Sequence, residues 1–288
     1  MICVMAASGE VGKGTVAALL AQGIDPASIV AAGRNPASLN SLNTAVTFRH
    51  ADYRDEATMT TAFGGVETLI LIPTKTPAGP RCNEHACALA AAKAAGVRRV
   101  VFLSLQAATP ASRCEVAPFI LFAECATRQS GLQWTLARMS LYIDPIAEWA
   151  PELARTGRLL YPVRDARIAY VSRSDVSRAL AAIARNNSLN GEILELTGPA
   201  ALSMPELAQA VSTATGSTVL FQSVGEEDYR EICRRDNLPE EIVEILVTIY
   251  RAAEAQEFSR ATTDILSLTG KASESVPEAL ARLLRHSD

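Results

Sequence analysis

The stretch AASGEVGKGT, residues 6–15, carries glycines and a lysine in an arrangement that could bind phosphate. It follows the apolar run ICVMA (2–6), which predicts a strand, and it precedes a segment of helical character. One phosphate-binding loop of this kind binds the pyrophosphate of a dinucleotide through spaced glycines. Another binds a nucleoside triphosphate and needs a lysine followed by Ser or Thr. The spacing of the glycines decides between the two.

The triphosphate loop has four residues between its first glycine and a Gly-Lys pair, with Ser or Thr directly after the lysine. Here Gly9 stands only three positions before Gly12, and Gly14 follows Lys13. The dinucleotide loop fits better, because Ala6-x-x-Gly9-x-x-Gly12 joins the strand to the helix. In such a loop Gly9 lets the backbone approach the pyrophosphate and Gly12 lets the helix pack closely on the strand. The helix N-terminus then faces the negative charge.

The first glycine of that loop is replaced by Ala6. A β-carbon disfavours the left-handed backbone that the tight turn normally uses, so we expect Ala6 to take a negative φ. On this view the fold survives, and the affinity for the cofactor is the quantity in doubt.

The end of the second predicted strand, SIVAAG (28–33), indicates which dinucleotide binds. Sites specific for NAD place Asp or Glu there, about 20 residues beyond the glycine loop, to bind the ribose hydroxyls. In this chain Arg34 stands at that place. A guanidinium suits the 2′-phosphate of NADP, so NADPH is expected to be preferred over NADH. A solvated loop arginine is the alternative.

The rest of the first half alternates apolar runs with helical patterns. Further strands are predicted at 46–52, 67–73, 98–105 and 133–140. Such alternation indicates an α/β fold, a Rossmann-type doubly wound parallel sheet. After about Pro145 helices dominate, with a capping box predicted at Ser203 and Glu206 and short strands near RLLYP, RIAYV, GEILELTG and STVLFQSV. We therefore predict an NAD(P)-binding domain over 1–144, returning through about 168–198, and a smaller, mainly helical substrate-cleft portion over 145–288.

The composition of the 288-residue chain is that of an ordinary globular protein, 49% hydrophobic and 20% charged with a net charge of −4. This balance favours neither nucleic acid nor an anionic membrane as partner. No apolar run approaches a membrane span, and no leader precedes the first strand. Cys82 and Cys87 diverge on a helix, with His85 between them, so no metal site is predicted. We expect a reduced, cytoplasmic protein, monomeric or homodimeric.

At several places the residues resemble the NmrA-like atypical short-chain dehydrogenases, in particular the branch of type 2 NAD(P)H:quinone oxidoreductases and triphenylmethane reductases. Besides the glycine loop, the matching segments are DPASIVAAGRNP (25–36), FRHADYRDEATMTTAFGGVETLILI (48–72), AAKAAGVRRVVFLSL (91–105), SGLQWTLAR (130–138), YVSRSDVSRA (170–179) and the stretch 225–266. The resemblance thus spans nearly the whole chain.

The resemblance implies a set of cofactor contacts. The glycine loop would hold the pyrophosphate, Arg34 the adenosine phosphate, and the residues after the third strand the adenine. Residues after the fourth strand would lie along the ribose, and the ends of the fifth and sixth strands would lie near the nicotinamide and substrate cleft. In chain order these residues are Ala6, Ser8, Gly9, Glu10, Val11, Arg34, Asp52, Tyr53, Ile72, Pro73, Thr74, Ser104, Leu105, Arg138, Met139, Ser140, Leu141 and Tyr142.

The catalytic residues of ordinary short-chain dehydrogenases, a Tyr-x-x-x-Lys pair, are missing. In that pair the tyrosine is the acid and the lysine holds the ribose, but none of the lysines of this chain, at 13, 75, 93 and 271, stands four residues after a tyrosine. Where the quinone reductases carry a histidine and a Thr-Glu-Lys run, this chain has ILFAEC (120–125), so Glu124 is kept and Cys125 replaces the lysine. Tyr142, His85 and Glu124 are weak candidates for chemistry. Each has an alternative without chemistry. Tyr142 could be a structural tyrosine, His85 a solvated histidine at a helix start, and Glu124 a carboxylate that orders its helix. His50, inside the third strand, is expected to be structural.

Two functions fit this pattern. An apolar cleft holding oriented NADPH could reduce quinones or other electron-poor aromatic acceptors by direct hydride transfer, since these need no positioned acid. The alternative is a non-catalytic NAD(P)-binding regulator or redox sensor of the NmrA type, acting on a protein partner. A nicotinamide face plugged by Phe119 or Phe122 would favour the sensor. Loss of cofactor binding altogether is a third possibility.

Overall fold

Seven parallel strands form the central sheet in the order β3-β2-β1-β4-β5-β6-β9. The computed structural model describes residues 1–36, 45–74 and 78–285, so Lys75 lies outside the described part. The strands are β1 (Ile2–Met5), β2 (Ile29–Gly33), β3 (Thr47–His50), β4 (Thr68–Leu71), β5 (Arg99–Leu105), β6 (Gln133–Met139), β7 (Arg158–Tyr161), β8 (Arg167–Ile168), β9 (Ile193–Leu196), β10 (Leu202–Ser203) and β11 (Leu220–Ser223).

The helices follow the strands as the alternating pattern predicts. They are α1 (Glu10–Ala21), α2 (Glu56–Ala62), α3 (Ala78–Ala94), α4 (Ala117–Gln129), α5 (Asp144–Thr156), α6 (Arg173–Arg185), α7 (Met204–Thr215), α8 (Glu226–Arg235), α9 (Glu240–Glu254), α10 (Asp264–Thr269) and α11 (Val276–Leu284). The predicted doubly wound Rossmann-type fold is confirmed. Strand order reverses between β1 and β4, and in such sheets ligands bind beyond the carboxyl ends of the strands at this switch point.

Helices cover both faces of the sheet, which explains why β4 and β5 are buried along their whole length. One face packs on α1 and α6, and the other on α2, α3 and α4. The contact between α1 and α6 is close, because a β-carbon at Gly14 would lie 2.5 Å from the Ser177 hydroxyl oxygen. This packing holds the N-terminus of α1 against the switch point.

The second half of the chain contributes to the sheet as well as to the smaller portion. The predicted strand in GEILELTG is β9, which pairs in parallel with β6. The capping box at Ser203 and Glu206 is present, and a second one joins Ser275 to Glu278. Strand β8 is shorter than predicted from RIAYV, because the backbone of Ala169 bonds to Phe258. The division at residues 144/145 stays a prediction.

No helix within the described ranges is long and apolar enough to cross a bilayer.

Candidate functional site

The turn between β1 and α1 begins the site at the switch point. The Gly9 amide donates a 3.0 Å hydrogen bond to the Ala6 carbonyl, and the Ala7 amide bonds to Ala32 on β2. A β-carbon at position 12 would lie 2.3 Å from the Ala6 carbonyl oxygen, so only glycine fits there. The close approach of helix to strand predicted for Gly12 is therefore present. At Gly9 the same β-carbon would make ordinary 3.5 Å contact.

The prediction for Ala6 is wrong. Its φ is 59°, in the left-handed region, not the negative value expected of a residue with a β-carbon. Close packing of Gly12 on the Ala6 carbonyl and the Gly9 hydrogen bond hold the turn in the shape that glycine normally allows. The chain therefore keeps the turn and accepts the strain of about 1–2 kcal/mol that a left-handed L-residue carries.

Substituting Ala6→Gly should raise the free energy of unfolding by about 1 kcal/mol, because the strain is released. Ala17→Gly, on the exposed side of α1, is the matched control and should lower it by about 1 kcal/mol. Denaturant titration of both variants without cofactor measures the difference. An equal decrease in the free energy of unfolding in the two variants would show that Ala6 carries no strain.

The N-terminus of α1 is open to an anion. Its N-cap residue is Gly9, which has no side chain, and no described side chain caps the helix. Gly9 and Glu10 are exposed there, and Glu10 lies 3.8 Å from the ammonium of Lys13. Helix N-termini with unpaired amides bind phosphate groups. Ser8, Gly9, Glu10 and Val11 thus fit a pyrophosphate.

Two arginines and one carboxylate follow the ends of β2 and β3, beside this turn. Arg34 is exposed directly after β2. Arg54 donates from Nε and Nη2 to the two carboxylate oxygens of Asp52, at 3.3 and 3.1 Å. These bonds, with a smaller contribution from the charge of Arg34, lower the pKa of the Asp52 carboxyl. The positive charge of this cluster fits the 2′-phosphate that NADP carries and NAD lacks.

The ends of β3 and β4 are tied together by Tyr53. Its ring is buried, and its hydroxyl donates a 2.5 Å hydrogen bond to the Ile72 carbonyl. The only polar side-chain atom of Tyr53 is therefore engaged within the protein. Further along the same edge, the Thr74 hydroxyl donates to the carboxylate of Glu84 on α3 at 2.5 Å. Pro73, which precedes Thr74, is half-buried.

A buried ion pair links α4 to the ends of β5 and β6. The Glu124 side chain accepts from Arg138 Nε at 2.8 Å and from Nη2 at 2.6 Å, and the Ser104 hydroxyl also donates to it. Glu124 is 1% exposed. Both carboxylate oxygens accept hydrogen bonds from this strand edge, so Glu124 orders the helix and strands. The structural alternative for Glu124 is the one that the geometry supports.

The segment after β6 continues the same edge. The Ser140 amide bonds to Leu196 on β9, and the Leu141 carbonyl accepts from Val171. The buried Ser140 hydroxyl has no hydrogen-bond partner among the described residues. Buried hydroxyls normally find a partner, so Ser140 is an exception at the end of β6.

Tyr142 and Met139 are half-buried at this edge, and Leu105 is buried. The Arg173 guanidinium lies 5.7 Å from the Tyr142 ring centre. Burial raises the pKa of the Tyr142 hydroxyl, so it stays protonated at neutral pH and becomes a weaker acid.

Both histidine interpretations need correction. His85 neither opens a helix nor faces solvent, because it is 4% exposed within α3 and bonds the Thr127 hydroxyl at 2.9 Å. Its ring packs against Phe102, and burial lowers its pKa to about 4. His50 is not an internal strand residue, since it ends β3 with its side chain exposed.

Of the two aromatic residues proposed to plug the cleft, Phe122 is 44% exposed on α4. Phe119 is buried, with the Arg81 guanidinium 4.8 Å from its ring centre.

Sequence reasoning missed Glu84 and Arg54. Glu84 shares helical spacing with the buried residues Ala88 and Ala91, which could have placed its carboxylate on the inner face of α3. Arg54 follows Asp52 by two residues, a spacing at which a turn brings the side chains together.

Known proteins resemble this chain in sequence and in fold. The model of the NmrA-like family matches residues 1–276. Quinone oxidoreductase 2 of Escherichia coli is 31% identical over 247 residues, covering 85% of each protein. The crystal structure of the E. coli NADPH-dependent quinone oxidoreductase complexed with NADPH has a TM-score of 0.92 at 29% identity, over 98% of this chain and 99% of that one. The crystal structure of Citrobacter sp. triphenylmethane reductase complexed with NADP(H) has a TM-score of 0.92 at 25% identity, over 99% of this chain and 100% of that one.

Proposed function

The chain belongs to the NmrA-like family, and from that premise we propose that it is an NADPH-dependent oxidoreductase that reduces quinones or other electron-poor aromatic acceptors. The observation that carries the proposal is the open N-terminus of α1, with an arginine and not a carboxylate at the end of the neighbouring strand. The named reductases among its relatives support the class of reaction.

The chain's own residues have separate tasks along the carboxyl edge of the sheet. The amides at the start of α1 bind the pyrophosphate, and the Arg34 guanidinium binds the 2′-phosphate. The Glu124–Arg138 ion pair and the Ser104 hydroxyl fix the ends of β5 and β6 against α4. The half-buried side chains of Met139, Leu141 and Tyr142 supply an apolar wall that excludes water.

NADPH, when bound, supplies the hydride. The protein contributes position more than acid–base chemistry, because none of the three candidate acids is suited to release a proton near neutral pH. Glu124 is ion-paired, the pKa of His85 is about 4 and that of Tyr142 is raised by burial. A quinone accepts hydride without a positioned acid, since the product phenolate can take its proton from water. Orientation alone can then provide much of the rate.

Cofactor selectivity tests the proposal. NADPH should bind more tightly than NADH, and Arg34→Ala should weaken NADPH roughly tenfold or more while leaving NADH nearly unchanged, because a charge-assisted contact contributes about 1.5–3 kcal/mol. Isothermal titration or fluorescence titration with both nucleotides gives the four dissociation constants. Equal affinities for NADPH and NADH in the unmutated protein would refute the cofactor assignment.

A further inference from the structure

The bidentate ion pair between Asp52 and Arg54 stands beside the predicted phosphate site with no evident structural task. The Arg54 side chain is 68% exposed and that of Asp52 is 23% exposed. Exposed pairs of this kind contribute little to stability. The Asp52 carboxylate also accepts the Arg54 backbone amide at 3.0 Å, so the turn itself holds the two side chains together.

The negative charge of Asp52 disfavours binding of a phosphate at this position. A carboxylate next to a site for the 2′-phosphate repels the phosphate, and it competes for the guanidinium that should bind the phosphate. Arg34 and Asp52 follow directly on paired residues of the neighbouring strands, since the Ala51 amide donates to the Gly33 carbonyl at 3.0 Å. Yet in the described part of the chain the ion pair of Asp52 is with Arg54, and none joins it to Arg34.

We propose that Arg54 is a positioning residue for NADPH selectivity. By occupying both oxygens of Asp52 it neutralises that carboxylate and leaves the Arg34 guanidinium available for the 2′-phosphate. Arg54 acts through Asp52 and does not itself bind the phosphate. This inference rests on the proposed preference for NADPH.

The surrounding groups do not perform the same task. Lys13 lies beside Glu10, 3.8 Å away. The end of β2 borders the glycine loop, because the β-carbon position of Gly33 lies 3.6 Å from the Ser8 hydroxyl. His50 is one strand further out, paired in register with Gly33. The cluster of Arg34, Arg54 and Asp52 carries one net positive charge, and without Arg54 it would carry none.

The test is a double-variant cycle read out as the ratio of the dissociation constants for NADH and NADPH, measured by titration at low salt without any acceptor. Arg54→Ala should reduce the preference for NADPH by roughly five- to tenfold, the effect of one uncompensated carboxylate that is largely screened by water. Adding Asp52→Asn in the same chain should restore the ratio to within about twofold of the unmutated protein. Asp52→Asn alone should keep or increase the preference.

The amide of Asn keeps an acceptor for the Arg54 backbone, so the turn survives the substitution. Since any contact of residue 52 with the adenine affects both nucleotides alike, the ratio removes it. Arg98→Ala is the matched control, because it breaks a 2.6 Å surface ion pair with Glu67 at the amino ends of β4 and β5, away from the predicted phosphate site. That variant should leave the ratio unchanged.

Three results would overturn the inference. They are an unchanged ratio in Arg54→Ala, a double variant that stays as poor as Arg54→Ala, and a loss of preference in Asp52→Asn alone. The second would show Arg54 on the phosphate directly. Failure of the proposed function has a different signature, namely an unmutated protein that already binds NADH as tightly as NADPH.

Discussion

Purified protein with saturating NADPH should reduce a quinone or a cationic dye at least about a hundredfold faster than a simple ketone, because a positioned general acid contributes about 10²–10⁴-fold to reactions that need one. A ketone must gain a proton as hydride arrives. Neither His85, whose pKa burial lowers to about 4, nor Tyr142, whose pKa burial raises, releases a proton readily near neutral pH.

The same reasoning predicts a flat pH profile. His85 is deprotonated throughout the interval from about pH 6 to 8 because its lowered pKa lies below it, and Tyr142 stays protonated because its raised pKa lies above it. NADPH oxidation followed by absorbance, with one quinone, one dye and one ketone, measures both effects. A ketone rate equal to the quinone rate would reveal an acid, to be sought with Tyr142→Phe and His85→Asn. Tight NADPH binding without oxidation by any acceptor would favour the NmrA-type regulator.

The second large effect is expected at the buried ion pair. Glu124→Ala should lower the free energy of unfolding by about 3–5 kcal/mol, because it leaves the guanidinium of Arg138 without its partner in a largely desolvated place. The Arg138 side chain is 19% exposed and that of Glu124 is 2% exposed. Urea denaturation of the protein without cofactor measures the loss.

Two controls separate the burial of charge from the loss of a contact. Glu152→Ala removes the carboxylate of an exposed pair with Arg155, 2.7 Å apart, and should cost less than about 1 kcal/mol. Replacing both buried partners, Glu124→Leu with Arg138→Met, should recover most of the stability lost in Glu124→Ala. A loss below 1 kcal/mol in Glu124→Ala would contradict the assignment of this pair as the anchor between α4 and the sheet.

The amino-acid sequence predicted much of the fold because its signals are local. Apolar runs such as 67–73 and 98–105 are long enough to identify strands buried on both faces, and helices between them require parallel pairing. The capping box at Ser203 and the absence of a triphosphate loop around Lys13 are also properties of short segments. The cofactor residues were placed by resemblance to the NmrA-like family, at the carboxyl ends of strands where residues that follow parallel strands meet, and their roles stay a prediction.

The tertiary structure decided what depends on residues distant in the chain. The positive φ of Ala6 results from close packing against Gly12 and the bond from Gly9, which outweigh the preference of an isolated alanine. His85 is buried because α4 covers the side of α3 that carries it, and His50 is exposed because β3 is an edge strand. Whether a carboxylate is neutralised, as Glu124 is by Arg138, depends on which charge the fold brings beside it, because Coulomb energy depends on distance and burial and not on sequence separation.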